Sequence, residues 1–240
     1  MGSVTRYGVD TGIIYEDRDI IVIHKSAGIP VQSGRIGKAD CCSLLKKYIY
    51  EKTGKSDPFL GVVHRLDEPV EGVMVFALNK KAASVLSGQI REGLFNKEYK
   101  AAVYGDIPLI PGRRIELTDY ILQKREGNVS LIADADTPGA KKSGLIYEAF
   151  SDRVTSDGEK ITLLNIELHT GRHHQIRVQL SHAGFPICGD RKYGKENDSI
   201  KTLCLCADRL TFAHPATGKK MSFNTEPEFL TEIPASRRCK

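Results

Sequence analysis

The sequence is short of several features that commonly announce a function. No uninterrupted apolar run approaches the ~20 residues needed to cross a bilayer, and Met1 to Asp10 lacks the apolar core of a secretory signal. A cytoplasmic protein with no membrane partner is therefore expected. The six cysteines include an adjacent pair, Cys41-Cys42, and a pair two apart, Cys204 and Cys206, but no two Cys-x-x-Cys pairs at zinc spacing. Reduced, buried thiols are the expectation. No His-Glu-x-x-His and no Gly-rich phosphate loop occur, so nothing points to a metal centre or to a nucleotide cofactor.

What is present is an ordinary globular composition, with 40% hydrophobic and 27% charged residues over 240 positions. The net charge of +5 suits a polyanionic partner without requiring one. Ile13–Tyr15 and Ile20–Ile23 read as strands joined by an acidic turn, followed by the irregular stretch Lys25–Val31. There Gly28 and Pro30 fix a backbone that can brace a neighbouring loop. A helix is predicted from Asp40 to Lys52, capped by Asp40 and ended by Gly54, with Leu44, Leu45, Tyr48 and Ile49 on one stripe. A second helix is predicted over Lys80–Arg91, capped by Asn79, with Ala83, Leu86 and Ile90 inward. Phe95–Gly105 is strand-like. Pro108–Gly144 reads as loops and short strands, the most mobile part of the chain, carrying scattered cations. Leu145–Phe150 and Ile161–Leu168 are predicted strands around an Asp157-Gly158 turn. A helix follows from His173 to Ala183, with Ile176, Leu180 and Ala183 inward and Gly184 closing it. Strands are predicted again over Thr202–Phe212 and Met221–Phe223.

The stretch Gly61–Ala77 concentrates the chemistry. An apolar triplet runs into His64-Arg65-Leu66-Asp67, a Pro and a Gly interrupt, and a second apolar run follows: strand, irregular loop, strand. A carboxylate at the mouth of a sheet beside a fixed guanidinium stays ionised and can serve as nucleophile or base. Taken alone, Asp67 reads equally as a turn cap with Arg65 as its surface partner. His169, His173 and His174 lie close in sequence, but a Thr-Gly turn separates them and no metal is assigned to them.

Four motifs in order decide between these readings. His64-Arg65-Leu66-Asp67 with Gly72, Lys97-Glu98-Tyr99, Thr170-Gly171-Arg172-His173-His174-Gln175-Ile176-Arg177, and Gly189-Asp190 with Tyr193-Gly194 resemble the signatures of the RluA family of pseudouridine synthases. The resemblance extends from about Tyr15 to Phe223. It departs at Ser26, where Pro is usual, at Val70-Glu71, where Thr-Ser is usual, and at His173 and Gln179, where Thr and His are usual. The resemblance implies an α+β fold built on a mixed, mainly antiparallel bent sheet flanked by helices. It implies a catalytic domain over residues 13–225, with tails at 1–12 and 226–240 and no S4-type RNA-binding domain ahead of it. It implies Asp67 as the catalytic carboxylate, Tyr99 beside the base and Arg177 pairing with Asp67. Arg65 would fill the space of a flipped uridine, Leu205 would floor the pocket, and Lys25 and Arg172 would contact RNA, the partner being rRNA or tRNA. No cofactor is required, because the isomerisation involves no redox change, and a monomer is expected. Two other readings remain: a non-catalytic RNA-binding protein on the same scaffold, kept open by Val70-Glu71, and a carboxylate hydrolase with Glu71 as its second carboxylate.

Overall fold

The computed structural model describes residues 12–34, 37–155, 158–231 and 233. The expected tail over residues 1–12 lies outside them except for Gly12, as do Asp157 of the expected turn and Cys239. In chain order the elements are β1 (Gly12–Glu16), β2 (Ile20–Lys25), α1 (Cys41–Thr53), β3 (Gly61–Val62), β4 (Glu71–Ala77), α2 (Lys80–Arg91), β5 (Asn96–Tyr104), β6 (Ile115–Lys124), β7 (Val129–Ala133), β8 (Lys141–Val154), β9 (Lys160–Leu168), α3 (Gln175–His182), β10 (Leu205–Ala213) and β11 (Lys220–Asn224). This is an α+β chain. It divides into two compact units, one formed by residues up to Lys97 together with Ala207–Glu226, the other by Glu98–Cys206 together with the residues from Pro227.

In the first unit the strands follow the order β1-β2-β4-β10, with β3 on β4 and β11 on β10. β1–β2, β2–β4, β3–β4 and β10–β11 are antiparallel. Ile20–Ile23 are fully buried and every residue of β4 is buried. Both faces of these strands are covered, which is why their sequences are continuous apolar runs rather than alternating ones. One face packs Val22, Val73, Val75 and Leu86 with Phe95, Leu210 and Phe212. Helix α1 begins with a reciprocal capping box: Asp40 accepts from the Ser43 amide and the Ser43 hydroxyl accepts from the Asp40 amide. It ends on Gly54 in the left-handed region, φ 74°. Asn79 caps α2 as expected. Leu86 of the expected stripe is buried, with Ala83 and Ile90 partly buried against the same core; Ala82 and Gln89 are buried beside them, and Val85 is exposed. Gln89 is satisfied there because its side-chain amide donates to the Ala213 carbonyl and accepts from the Ala213 amide, both at 2.8 Å.

In the second unit the order is β5-β9-β8-β6-β7, antiparallel throughout. The stretch read as loops and short strands is mostly regular. β6 is ten residues long and pairs on one side with β8 and on the other with β7. Its Pro-Gly content sits before the strand, at Pro111-Gly112, and the turn into β7 uses Gly127 and Asn128 at positive φ. Helix α3 starts at Gln175 rather than His173, because His174 adopts the left-handed conformation, φ 53°, and stops the helix there. From Gln175 to Leu180 α3 is buried all round. The residues expected as a polar C-terminal tail include a short 3-10 turn, Glu228–Thr231, whose Phe229 is buried.

Candidate active site

Asp67 lies half-buried on the loop between β3 and β4, in a tight turn whose Val70 amide donates to the Asp67 carbonyl at 3.1 Å. Three anchors hold this loop from the first unit. The Glu68 carbonyl accepts from the Gly28 amide at 2.9 Å and from the Lys25 ammonium at 3.1 Å. Lys25 also donates to the carbonyls of Ser26 and Ile29. The third anchor is His64, whose Nε2 accepts from the Val75 amide at 3.1 Å. A nitrogen that accepts carries no proton, so His64 is neutral with its proton on Nδ1. Burial, with the charge of Lys97 added, pushes its pKa down to about 3. Its ring stands edge-on to Phe95 at 5.2 Å.

One sequence reading changes here. Lys25, expected as a phosphate contact or a solvated charge, is 1% exposed and spends its ammonium on three carbonyls; it braces the loop from inside. Arg65, read as a charge beside Asp67, is exposed and donates to Gln32 Oε1 at 2.8 Å. Lys25 lies within electrostatic reach of Asp67. Burial lowers the Lys25 pKa to about 8, and the charges of Cys41, Asp67, Glu68 and Glu71 act against that shift. Glu71 is 2% exposed, its Oε2 3.9 Å from His24 Nε2, while His24 Nδ1 meets Thr225 Oγ1 at 2.9 Å. A carboxylate so enclosed cannot serve the hydrolase reading, which needs a second acid open to water and substrate. Gly72 is required by the backbone: φ is 130°, and a Cβ there would stand 2.3 Å from the Ala207 carbonyl oxygen.

The second unit holds the remaining candidates. Arg177 on α3 is 4% exposed and meets Asp190 side-on, Nε to Oδ2 and Nη2 to Oδ1, each at 2.7 Å. This geometry leaves Nη1 and one Nη2 hydrogen outside the Asp190 pair. Asp190 accepts as well from the amides of Lys192 and Tyr193. Burial pushes its carboxyl up, but the hydrogen bonds and charge of Arg177 and the two amides outweigh it and hold Asp190 below the usual carboxylate range. The Tyr193 ring lies 5.2 Å from the guanidinium, and its hydroxyl meets His174 Nδ1 at 2.8 Å and accepts from the Ser130 amide at 2.7 Å. His173 Nδ1 meets the Ser130 hydroxyl at 2.9 Å. Tyr99 is a buried residue of β5 opposite Ile166, and Leu205 is the buried first residue of β10. Arg172 is exposed, its Nε 3.4 Å from the Lys142 carbonyl. The roles of His64 and Asp190 were missed in the sequence, although both stand inside quoted motifs, because the motifs name them without saying what they touch.

The five described cysteines are free thiols. No helix among the described residues is long and apolar enough to cross a membrane.

The sequence profile of a family described as RNA pseudouridylate synthase matches residues 19–182. The chain belongs to that family. Its fold agrees: human RNA pseudouridylate synthase domain containing 1 superposes with a TM-score of 0.71 at 24% identity, over 93% of this chain and 86% of that one. Human RNA pseudouridylate synthase domain containing 4 gives 0.70 at 23%, over 92% and 90%. Among curated relatives, the ribosomal large subunit pseudouridine synthase C of Buchnera aphidicola from Schizaphis graminum is 32% identical over 87% of this chain, which spans 65% of that protein's length. The dual-specificity RNA pseudouridine synthase RluA of Haemophilus influenzae is 30% identical over 90% of this chain and 93% of its own. The uncharacterized RNA pseudouridine synthase YjbO of Bacillus subtilis is 31% identical over 90% and 72%.

Proposed function

We propose that this pseudouridylate synthase family member isomerises uridines of rRNA or tRNA to pseudouridine, with Asp67 as the attacking carboxylate. The observation that carries this reading is the anchoring of the Asp67 loop. Its neighbours are tied down by His64, Gly28 and Lys25, while the Asp67 side chain stays half-exposed. A uridine must leave its stack before a side chain can reach its ribose or base. Arg65, exposed at the edge of the loop, takes the vacated place in the stack. Asp67 attacks the flipped nucleotide, the N1–C1′ bond breaks, the uracil turns, and C5 bonds to C1′. The bond to Asp67 breaks to return the carboxylate, C5 gives up its proton and N1 takes one up from water. Tyr99 packs against the base and Leu205 floors its pocket. A neutral phenol, with a free pKa of ~10, is a weak base, so packing is the main part of Tyr99. Arg177 has the part of keeping the catalytic carboxylate ionised. Arg172 contributes to the RNA grip. The enzyme works in the cytoplasm as a monomer, without a cofactor.

The name of one relative, a ribosomal large subunit pseudouridine synthase, supports rRNA as substrate class, and that of another, a dual-specificity RNA pseudouridine synthase, supports more than one target. The test is tritium release from bulk cellular RNA labelled at uridine C5. The native chain releases tritium and Asp67→Ala does not. Retained RNA binding with no release by the native chain returns the scaffold to a binding role.

A further inference from the structure

Lys97 stands at the start of β5, two residues after Phe95 and two before Tyr99. It is half-buried, and among the described residues it makes no hydrogen bond and no ion pair. Lys25, also removed from water, is compensated: it sits on three carbonyls. What Lys97 has beside it is His64, which it makes harder to protonate. Phe95, on the same stretch of chain, packs its ring against that imidazole. With Nε2 accepting from Val75, His64 presents only an N–H at Nδ1, and that nitrogen is buried without a partner. Two donors of the first unit, one of them charged, therefore meet no acceptor among the described residues. Desolvating a cation without a counter-charge costs free energy, and burial accordingly lowers the Lys97 pKa. A chain that keeps such a charge beside its reactive loop leaves room for an anion that arrives with the substrate.

We propose that Lys97 is an RNA-backbone contact whose ammonium takes a phosphate of the substrate strand beside the loop that carries Asp67. The proposal rests on the RNA-isomerase reading above and adds a residue to it. The phosphate supplies the missing counter-charge, and the neutral His64 is what makes the arrangement work. A protonated imidazole would repel Lys97 and would release the Val75 amide. The contact is independent of base identity, since a phosphate carries no sequence information.

The experiment compares Lys97→Met, which keeps the stem and loses the charge, with Lys97→Arg, which keeps the charge. Binding to unmodified bulk rRNA and tRNA is measured from 50 to 200 mM salt, alongside thermal unfolding and tritium release. Lys97→Met should bind about tenfold more weakly at the low-salt end. The slope of log K against log salt should be shallower by about 0.7 to 0.9, the loss of one phosphate contact. Its melting temperature should be unchanged or higher, because an uncompensated charge has been removed, and Lys97→Arg should restore affinity and slope. Equal affinity and slope in Lys97→Met overturn the proposal. So does weaker binding that follows a lowered melting temperature and is not restored by arginine, which marks a packing role. Tritium release by the native chain keeps these outcomes separate from the function itself. Release with an unaltered Lys97→Met sinks only the phosphate contact, whereas a native chain that binds no RNA sinks both.

Discussion

The loop of Asp67 and the corner of Arg177 hold their key residues by opposite means. In the first unit each anchor acts on a backbone group: an imidazole accepts from an amide, and a glycine amide and an ammonium donate to a carbonyl. They grip the residues around Asp67 through the backbone of the loop. In the second unit a full charge is held by a full opposite charge, side-on and buried, with two amides completing the carboxylate's shell. The difference follows from what each group does in the proposed reaction. A nucleophile forms and breaks bonds, so its loop is fixed through the backbone beside it. A guanidinium that only orients and polarises can be locked without loss.

The comparison can be broken most severely at Asp190. Asp190→Ala strands a buried guanidinium, and urea unfolding should show a loss of about 3–5 kcal/mol. Tritium release should fall with it, even where the protein remains folded. Lys25→Met comes next. It removes a donor from three carbonyls in an enclosed site, which costs about 1–3 kcal/mol. A loosened Asp67 loop should lower kcat more than it raises KM for RNA. If Lys25 contacted phosphate, KM and the salt dependence would change instead, so the split between kcat and KM sharpens the assignment. The smallest effect is at His64. Its pKa is depressed in the folded chain to about 3 from 6.5, so the unfolded chain binds the extra proton between those values. Stability from this group is complete above pH 6.5 and is lost as pH falls from there toward 3. His64→Gln retains an acceptor for the Val75 amide but has no proton to gain. Relative to the variant, the native chain should lose about 1 kcal/mol between pH 6 and pH 5, read as a difference between two urea titrations.

The fold was legible where a local rule and burial agreed. Asp40 and Asn79 cap their helices, and the unbroken apolar runs of β2 and β4 are the strands covered on both faces. It was illegible where partners are distant in sequence. β6 looked like loop because its exposed face carries Glu116 and Thr118 while Asp119 interrupts the other face, and only pairing with β7 and β8 makes it a strand. Helix α3 was placed two residues early because nothing local tells that His174 takes a left-handed backbone. The same limit applied to the site. Motif order pointed to Asp67 and Arg177, but Lys25 was misread because a lysine beside a glycine-proline loop looks solvated until the carbonyls of Ser26, Ile29 and Glu68 close around it. Asp190 carried a signal in its motif, and its partner thirteen residues earlier became visible only in three dimensions.

Gln89 shows what polarity patterning hides from an engineer. On a helical wheel it is a lone amide on an apolar stripe between Leu86 and Ile90, the position a stabilising redesign would fill with leucine. Its side chain mimics a peptide group, meeting the N–H and C=O of Ala213 as a neighbouring strand would. A leucine would strand both of those groups, so an algorithm that scores only hydrophobic fit would choose the very change that frays the end of β10.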